Sequence, residues 1–200
     1  MSHALDSDSR ESLADRKRTA TRRRIAAAAA QVVASRGLAV ATVERIADAA
    51  DISRATFFRY FNSKEDAVAE GMNVHWLNRI TAALAAQPDG LAATEAVVGA
   101  FHELARGFTE IEDQVRDVAM LTRSSETLDA WTLHIYVRYE EAIAELIAPR
   151  IPRLAPQDPR PRLIGALAMA TVRIALDDWL ACGGSLPERI RQGLAAITIA

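Results

Sequence analysis

One cysteine, Cys182, stands in 200 residues, so no disulfide can staple the chain internally, and its thiol reads as packed or incidental. Metal chemistry is equally poorly provided for. His3, His75, His102 and His134 lack the spacing of metal ligands, and neither a nucleophile motif nor a glycine-rich phosphate loop occurs. These absences weigh against an enzyme, and no cofactor or metal is expected. Long apolar runs are missing too: Ala26–Ala30 is far too short for a bilayer, and Leu163–Val172 is short and ends at Arg173. Residues 1–15, MSHALDSDSRESLAD, are polar and acidic, the composition of a disordered tail rather than a secretion signal. A soluble, cytoplasmic chain without a membrane partner is expected.

What is present is helical. Half the residues are hydrophobic, enough to bury a core at this length. Strand-like alternation is absent, while glycine and proline gather at a few breaks, so the fold class is all-α. Beyond residue 64, helices are expected over Lys64–Ala86, Ala92–Phe108, Glu112–Thr122, Glu126–Ala148 and Arg162–Ala181, and from about Pro187 onward. Pro152–Pro161 reads as a proline-punctuated connector.

Charge divides the chain unevenly. Formal net charge is only -2, yet from Arg16 to Lys64 eleven cations face three acids, whereas from Glu65 onward twelve arginines face nineteen acids. A basic head on an acidic body confines attraction for phosphate to one end.

Within that head, Thr42 to Lys64, TVERIADAADISRATFFRYFNSK, reads as two short helices around a tight turn. Thr42 can cap the first helix, along which Val43, Ile46, Ala47 and Ala50 make one apolar face. Asp51-Ile52-Ser53 breaks the pattern, and Ser53 can cap a second helix from Arg54 to about Phe61. Phe57 and Phe61, one turn apart, point inward, which leaves Arg54, Ala55, Thr56, Phe58 and Arg59 outward. This is the layout of a helix-turn-helix DNA reader. The arginines suit guanine edges or phosphates, Thr56 a base edge or thymine methyl, and Phe58 an apolar contact. Ser63 can cap a further helix whose first-turn amides, with Lys64, could grip a phosphate.

The segments RRRIAAAAAQVVASRG, TVERIADAADIS and RATFFRYFNSKED resemble the first helix, second helix with turn, and recognition helix of the TetR family of bacterial transcriptional regulators. The resemblance implies DNA contact by Thr42, Arg45, Ser53, Arg54, Ala55, Thr56, Phe58, Arg59, Tyr60 and Lys64. It places Asp51 where the family usually has glycine, and Phe58 where a tyrosine often donates its hydroxyl to phosphate. The implied organisation is a tail over 1–15, a DNA-binding domain over 16–66 and a ligand-binding and dimerisation domain over 67–200.

The last two helices carry apolar faces at helical spacing. The resemblance implies that they pack on a second copy through Leu163, Leu167, Ala170, Ile174, Ile190, Leu194 and Ile197; the alternative is ordinary intrachain core. A homodimer would set two recognition helices about 34 Å apart on a pseudo-palindromic operator. Arg173 most simply pairs with Asp177 one turn on. The resemblance also implies a pocket for a small-molecule effector, with Trp76, Phe101, His102, Leu121, Arg123, Trp131, His134 and Tyr136 as candidate lining. TVRIALDDWLACGG is similar to the subgroup of these regulators that binds acyl-CoA-like ligands. The reading is thus a ligand-responsive repressor. A non-specific architectural DNA-binding protein and a small helical enzyme are the alternatives.

Overall fold

A computed structural model describes residues 13–196, and every regular element among them is a helix. In order these are α1 (Leu13–Arg36), α2 (Val43–Ala49), α3 (Arg54–Phe58), α4 (Lys64–Ala85), α5 (Ala93–Ala105), α6 (Phe108–Thr122), α7 (Glu126–Ile147), α8 (Arg160–Cys182) and α9 (Leu186–Ala195). Short 3₁₀ turns follow α1 at Leu38–Val40 and α7 at Ala148–Arg150. The expected tail differs at its end, because residues 13–15 already belong to α1; residues 1–12 lie outside the described ones.

Packing divides the chain between Met72 and Asn73. The boundary expected after Asp66 lies earlier because the first turns of α4 bury Ala67, Val68, Ala69 and Met72 in the first unit. Gly71 is what allows this: a Cβ there would run into the Ala26 carbonyl of α1. The core of this unit draws Ile25, Ala29 and Val33 from α1, Ile46 from α2, and Phe57 from α3.

The second unit is a helical bundle. Tyr139, Ile143 and Ile147 of α7, Ile164, Ala168 and Met169 of α8, and Ala96, Val97 and Ala100 of α5 form its main core. Gly165 lets α8 approach the Glu140 carbonyl of α7, where a Cβ would clash. A smaller cluster surrounds Trp179, with Arg116 4.0 Å above the indole.

In the second unit the α5–α6 junction and the start of α8 differ from expectation. Periodicity carries one helix to Phe108 and starts the next at Glu112; instead α5 stops at Ala105 and α6 starts at Phe108. The break is made by extended Arg106 and by Gly107 at φ 70, a left-handed conformation that glycine adopts without penalty. Similarly α8 starts at Arg160 rather than Arg162, since Pro161 fits a first helical turn, where its missing N–H is not needed.

Candidate nucleic-acid interface and ligand cavity

Local chemistry builds the reader. The Thr42 hydroxyl accepts the Arg45 N–H at 3.3 Å and the Ser53 hydroxyl accepts the Thr56 N–H at 3.1 Å, so both capping residues hold the helices they precede. Between them Asp51 adopts φ 50, the left-handed turn conformation that an aspartate tolerates better than most residues. Phe57 and Phe61 are buried, while Arg54, Ala55, Phe58 and Arg59 are exposed. The recognition helix is shorter than expected: it ends at Phe58, and the N–H groups of Arg59 and Tyr60 turn back to the carbonyls of Thr56 and Phe57.

Several expected contact residues already have partners. Arg45 donates to the Val40 carbonyl at 3.2 Å, and Lys64 Nζ to the Ala41 carbonyl at 2.8 Å. The Thr56 hydroxyl shares a 2.9 Å hydrogen bond with that of Ser53. Arg54 lies 3.4 Å from Glu44 and 5.6 Å over the Phe58 ring, both loose surface contacts that a phosphate or base could replace. Tyr60 is half-buried, and its carbonyl accepts from Arg22 at 2.5 Å.

The second unit carries a partly open cavity of about 940 Å³, near the upper end of the ~300–1,000 Å³ typical of ligand sites. Trp76, Ile80, Phe101, Leu104, Val118 and Met169 give it apolar walls. Polar side chains on the wall include Arg123, Tyr136, Thr122 and Thr132, and also Glu95, His102, Glu188 and Arg191. Arg123 reaches from α6 to Asp177 on α8 at 2.7 Å, and this long-range pair is tighter than the expected Arg173–Asp177 contact at 3.7 Å. Burial raises the Tyr136 phenol above its ordinary range against the opposing pull of Arg123, so the ring presents a neutral hydroxyl. Burial likewise pushes the Tyr139 phenol up; its hydroxyl donates to the Asn73 carbonyl at 2.6 Å.

Of the expected lining residues, Trp76, Phe101, His102, Arg123 and Tyr136 stand on the cavity wall. Leu121, Trp131 and His134 do not: Trp131 packs against the main core and His134 is exposed. Thr122 and Thr132 join the wall without having been expected there. Both are buried, with their hydroxyls returned to the Ala119 and Leu128 carbonyls of their own helices, and the available signal is a threonine within an apolar helix face.

The model of "Bacterial regulatory proteins, tetR family" matches residues 25–70, and that of the "MftR C-terminal domain" matches residues 91–199. The HTH-type transcriptional regulator TcmR of Streptomyces glaucescens is 31% identical over 173 residues, covering 84% of this chain and 76% of the relative. The chain belongs to the TetR family. Members are DNA-binding transcriptional regulators and not enzymes. Two solved structures share the fold: FadR of Thermus thermophilus, at 23% identity and TM-score 0.63 over 87% of this chain and 91% of that one, and a TetR regulator from Rhodococcus sp. RHA1, at 17% identity and TM-score 0.61 over 90% and 96%.

In this TetR-family regulator the residues expected at a dimer contact separate into two groups. Leu163, Leu167 and Ile174 of α8 are 49%, 38% and 52% exposed, with half-buried Ala170 between them on one stripe. Ile190 and Leu194 of α9 instead turn inward and line the cavity. Ile197 lies outside the described residues. Cys182, expected as packed or incidental, is exposed. No helix among the described residues is long and apolar enough to cross a membrane.

Proposed function

We propose that this regulator is a repressor that grips a pseudo-palindromic operator as a homodimer and is released by a small, largely apolar effector. In this reading the unit that ends at Met72 reads DNA, and the unit from Asn73 onward binds the effector and pairs the two copies. The observation that carries the reading is the cavity: a volume of about 940 Å³ with mostly apolar walls and a minority of polar groups, Arg123 and Tyr136 among them. The outward stripe of Leu163, Leu167, Ala170 and Ile174 supports pairing through α8, since apolar side chains at this spacing gain by leaving water.

Release is a matter of linkage. The effector must favour a body conformation in which the two heads no longer match the operator, and α4 contributes residues to both units. A molecule binding both conformations equally would release nothing. FadR of Thermus thermophilus is described as a repressor in complex with lauroyl-CoA, so acyl thioesters join free fatty acids and neutral apolar compounds as candidate effectors.

The test is selection of bound duplexes by the purified protein, followed by thermal-shift and release assays with that panel. Recovery of one palindromic site, and its release by a compound that also raises the melting temperature, is the expected outcome. A selected duplex that no stabilising compound releases would remove the effector-controlled part of the proposal.

A further inference from the structure

The first three turns of α1 carry charge that the core of the reader does not use. From Leu13 to Arg24 there are six cations, Arg16, Lys17, Arg18, Arg22, Arg23 and Arg24, against the single acid Asp15. No side chain described from Asp15 to Arg24 is buried; burial on α1 begins at Ile25, where the family match also begins. At about 3.6 residues per turn the six do not share a face. Arg18 and Arg22 continue the side that buries Ile25 and Ala29. Arg16, Lys17, Arg23 and Arg24 gather on the opposite side, within an arc of about 120°.

Arg22 is committed to structure. Its Nε and Nη2 hold the Glu70 carboxylate at 2.9 and 2.6 Å, its Nη1 donates to the Tyr60 carbonyl at 2.5 Å, and its guanidinium lies 4.3 Å from the Phe61 ring centre. Tyr60 and Phe61 lie two and three residues past the end of α3, so these contacts pin α1 to the segment that leaves the recognition helix. Arg23 and Arg24 flank the pinned point, and Arg16 lies about 9 Å further along the axis. All four cations of the outer face are exposed.

We infer that Arg16, Lys17, Arg23 and Arg24 form a second DNA-contacting surface, a cationic rail resting on backbone phosphates that flank the base pairs read by α3. Duplex DNA carries a negative charge about every 1.7 Å of axis, so a helix face of this length meets several phosphates. Two observations select DNA as the occupant: the sign and density of charge, and the fastening of α1 through Arg22, on its other side, to residues just past the recognition helix. The rail contributes affinity and register but no base preference, since phosphates carry no sequence information. The chain's own Asp6, Asp8 and Glu11 are the rival partner.

The test compares the full-length chain with the variant Arg16→Gln/Lys17→Gln/Arg23→Gln/Arg24→Gln, in which glutamine keeps helix propensity while removing charge. Binding is followed by fluorescence anisotropy between about 50 and 200 mM salt. Two probes are used: a duplex selected by the wild-type protein, trimmed to the base pairs the selection fixes, and the same duplex with extended flanks. On the extended duplex the variant is expected to bind about tenfold or more weakly, with a log K against log salt slope shallower by about 0.9 for each phosphate it no longer neutralises. Its preference for selected over scrambled sequence should persist, and the two proteins should differ less on the trimmed duplex.

Equal slopes and affinities on both duplexes overturn the rail. Tighter binding by the variant overturns it too, and is the result expected if Asp6, Asp8 and Glu11 rather than DNA are the partners of this face. If circular dichroism shows the quadruple variant misfolded, Arg16→Gln/Lys17→Gln, about two turns ahead of the first buried residue Ile25, supplies the same slope test. Failure of wild type to select any duplex is a separate result, and contradicts the DNA reader itself.

Discussion

Arg123, the residue that ends α6 and lines the cavity, closes a 2.7 Å ion pair with Asp177 of α8. The guanidinium also donates to the Ala119 carbonyl at 3.1 Å, so it is oriented before any ligand arrives. The Asp177 side chain is 46% exposed, which keeps the pair's contribution to folding at or below about 1 kcal/mol. Asp177→Asn is therefore expected to cost no more than that in urea unfolding while enlarging the thermal shift given by anionic apolar compounds. A loss of several kcal/mol, or no change in ligand response, would contradict this role.

Arg54 stands on the outward face of α3, its guanidinium 3.4 Å from Glu44 and 5.6 Å over the Phe58 ring. If it reads a guanine, Arg54→Ala costs about 1–3 kcal/mol of specific binding. Binding to a selected duplex and to its scrambled counterpart, at one fixed salt concentration, checks this. Unchanged discrimination removes Arg54 from the base-reading set.

Gly71 tests the packing of the first unit. Its Cβ would meet the Ala26 carbonyl, a backbone atom that cannot swing aside, so Gly71→Ala forces α1 and α4 apart and is expected to destabilise by about 1–3 kcal/mol. Gly90→Ala, where nothing lies within 4 Å, serves as the control and should be nearly neutral. Similar urea midpoints for the two variants would show that the close approach costs nothing.

Much of this fold is legible locally, because caps and apolar periodicity are near-neighbour effects. Thr42 and Ser53 cap the helices they precede, Phe57 and Phe61 point inward, and Asp51 takes the left-handed turn. What is not legible depends on chain segments far apart. Helical spacing pairs Arg173 with Asp177, yet Arg123, brought in from α6, lies closer. Ile190 and Leu194 form a readable apolar stripe, but periodicity cannot say whether a stripe faces a partner or a cavity within its own unit. The α5–α6 break is expected from the sequence but placed a few residues too late, because a single glycine inside a helical pattern is often tolerated, whereas Gly107 here takes a left-handed conformation.

Glu188, on the cavity wall, should stay charged well into acid. The Glu188 carboxylate accepts from Arg191 and Gln192, and these hydrogen bonds depress its pKa to about 2, against an ordinary 4.5. Because the folded value is the lower one, any stabilisation is fully present above about pH 4.5 and fades as pH falls toward 2. A carboxyl NMR titration with a Glu188 midpoint near 2 is expected; a midpoint near 4.5 would show that the Arg191 contact does not persist in solution.

The account rests most directly on sequence discrimination by the exposed face of α3. Selection of duplexes from a random pool by the purified chain, followed by footprinting of the winners, measures it. One short protected site with two related half-sites about one helical turn apart is the expected result. Uniform coating of the duplex, with equal affinity for selected and random sequence at the same salt, would contradict it.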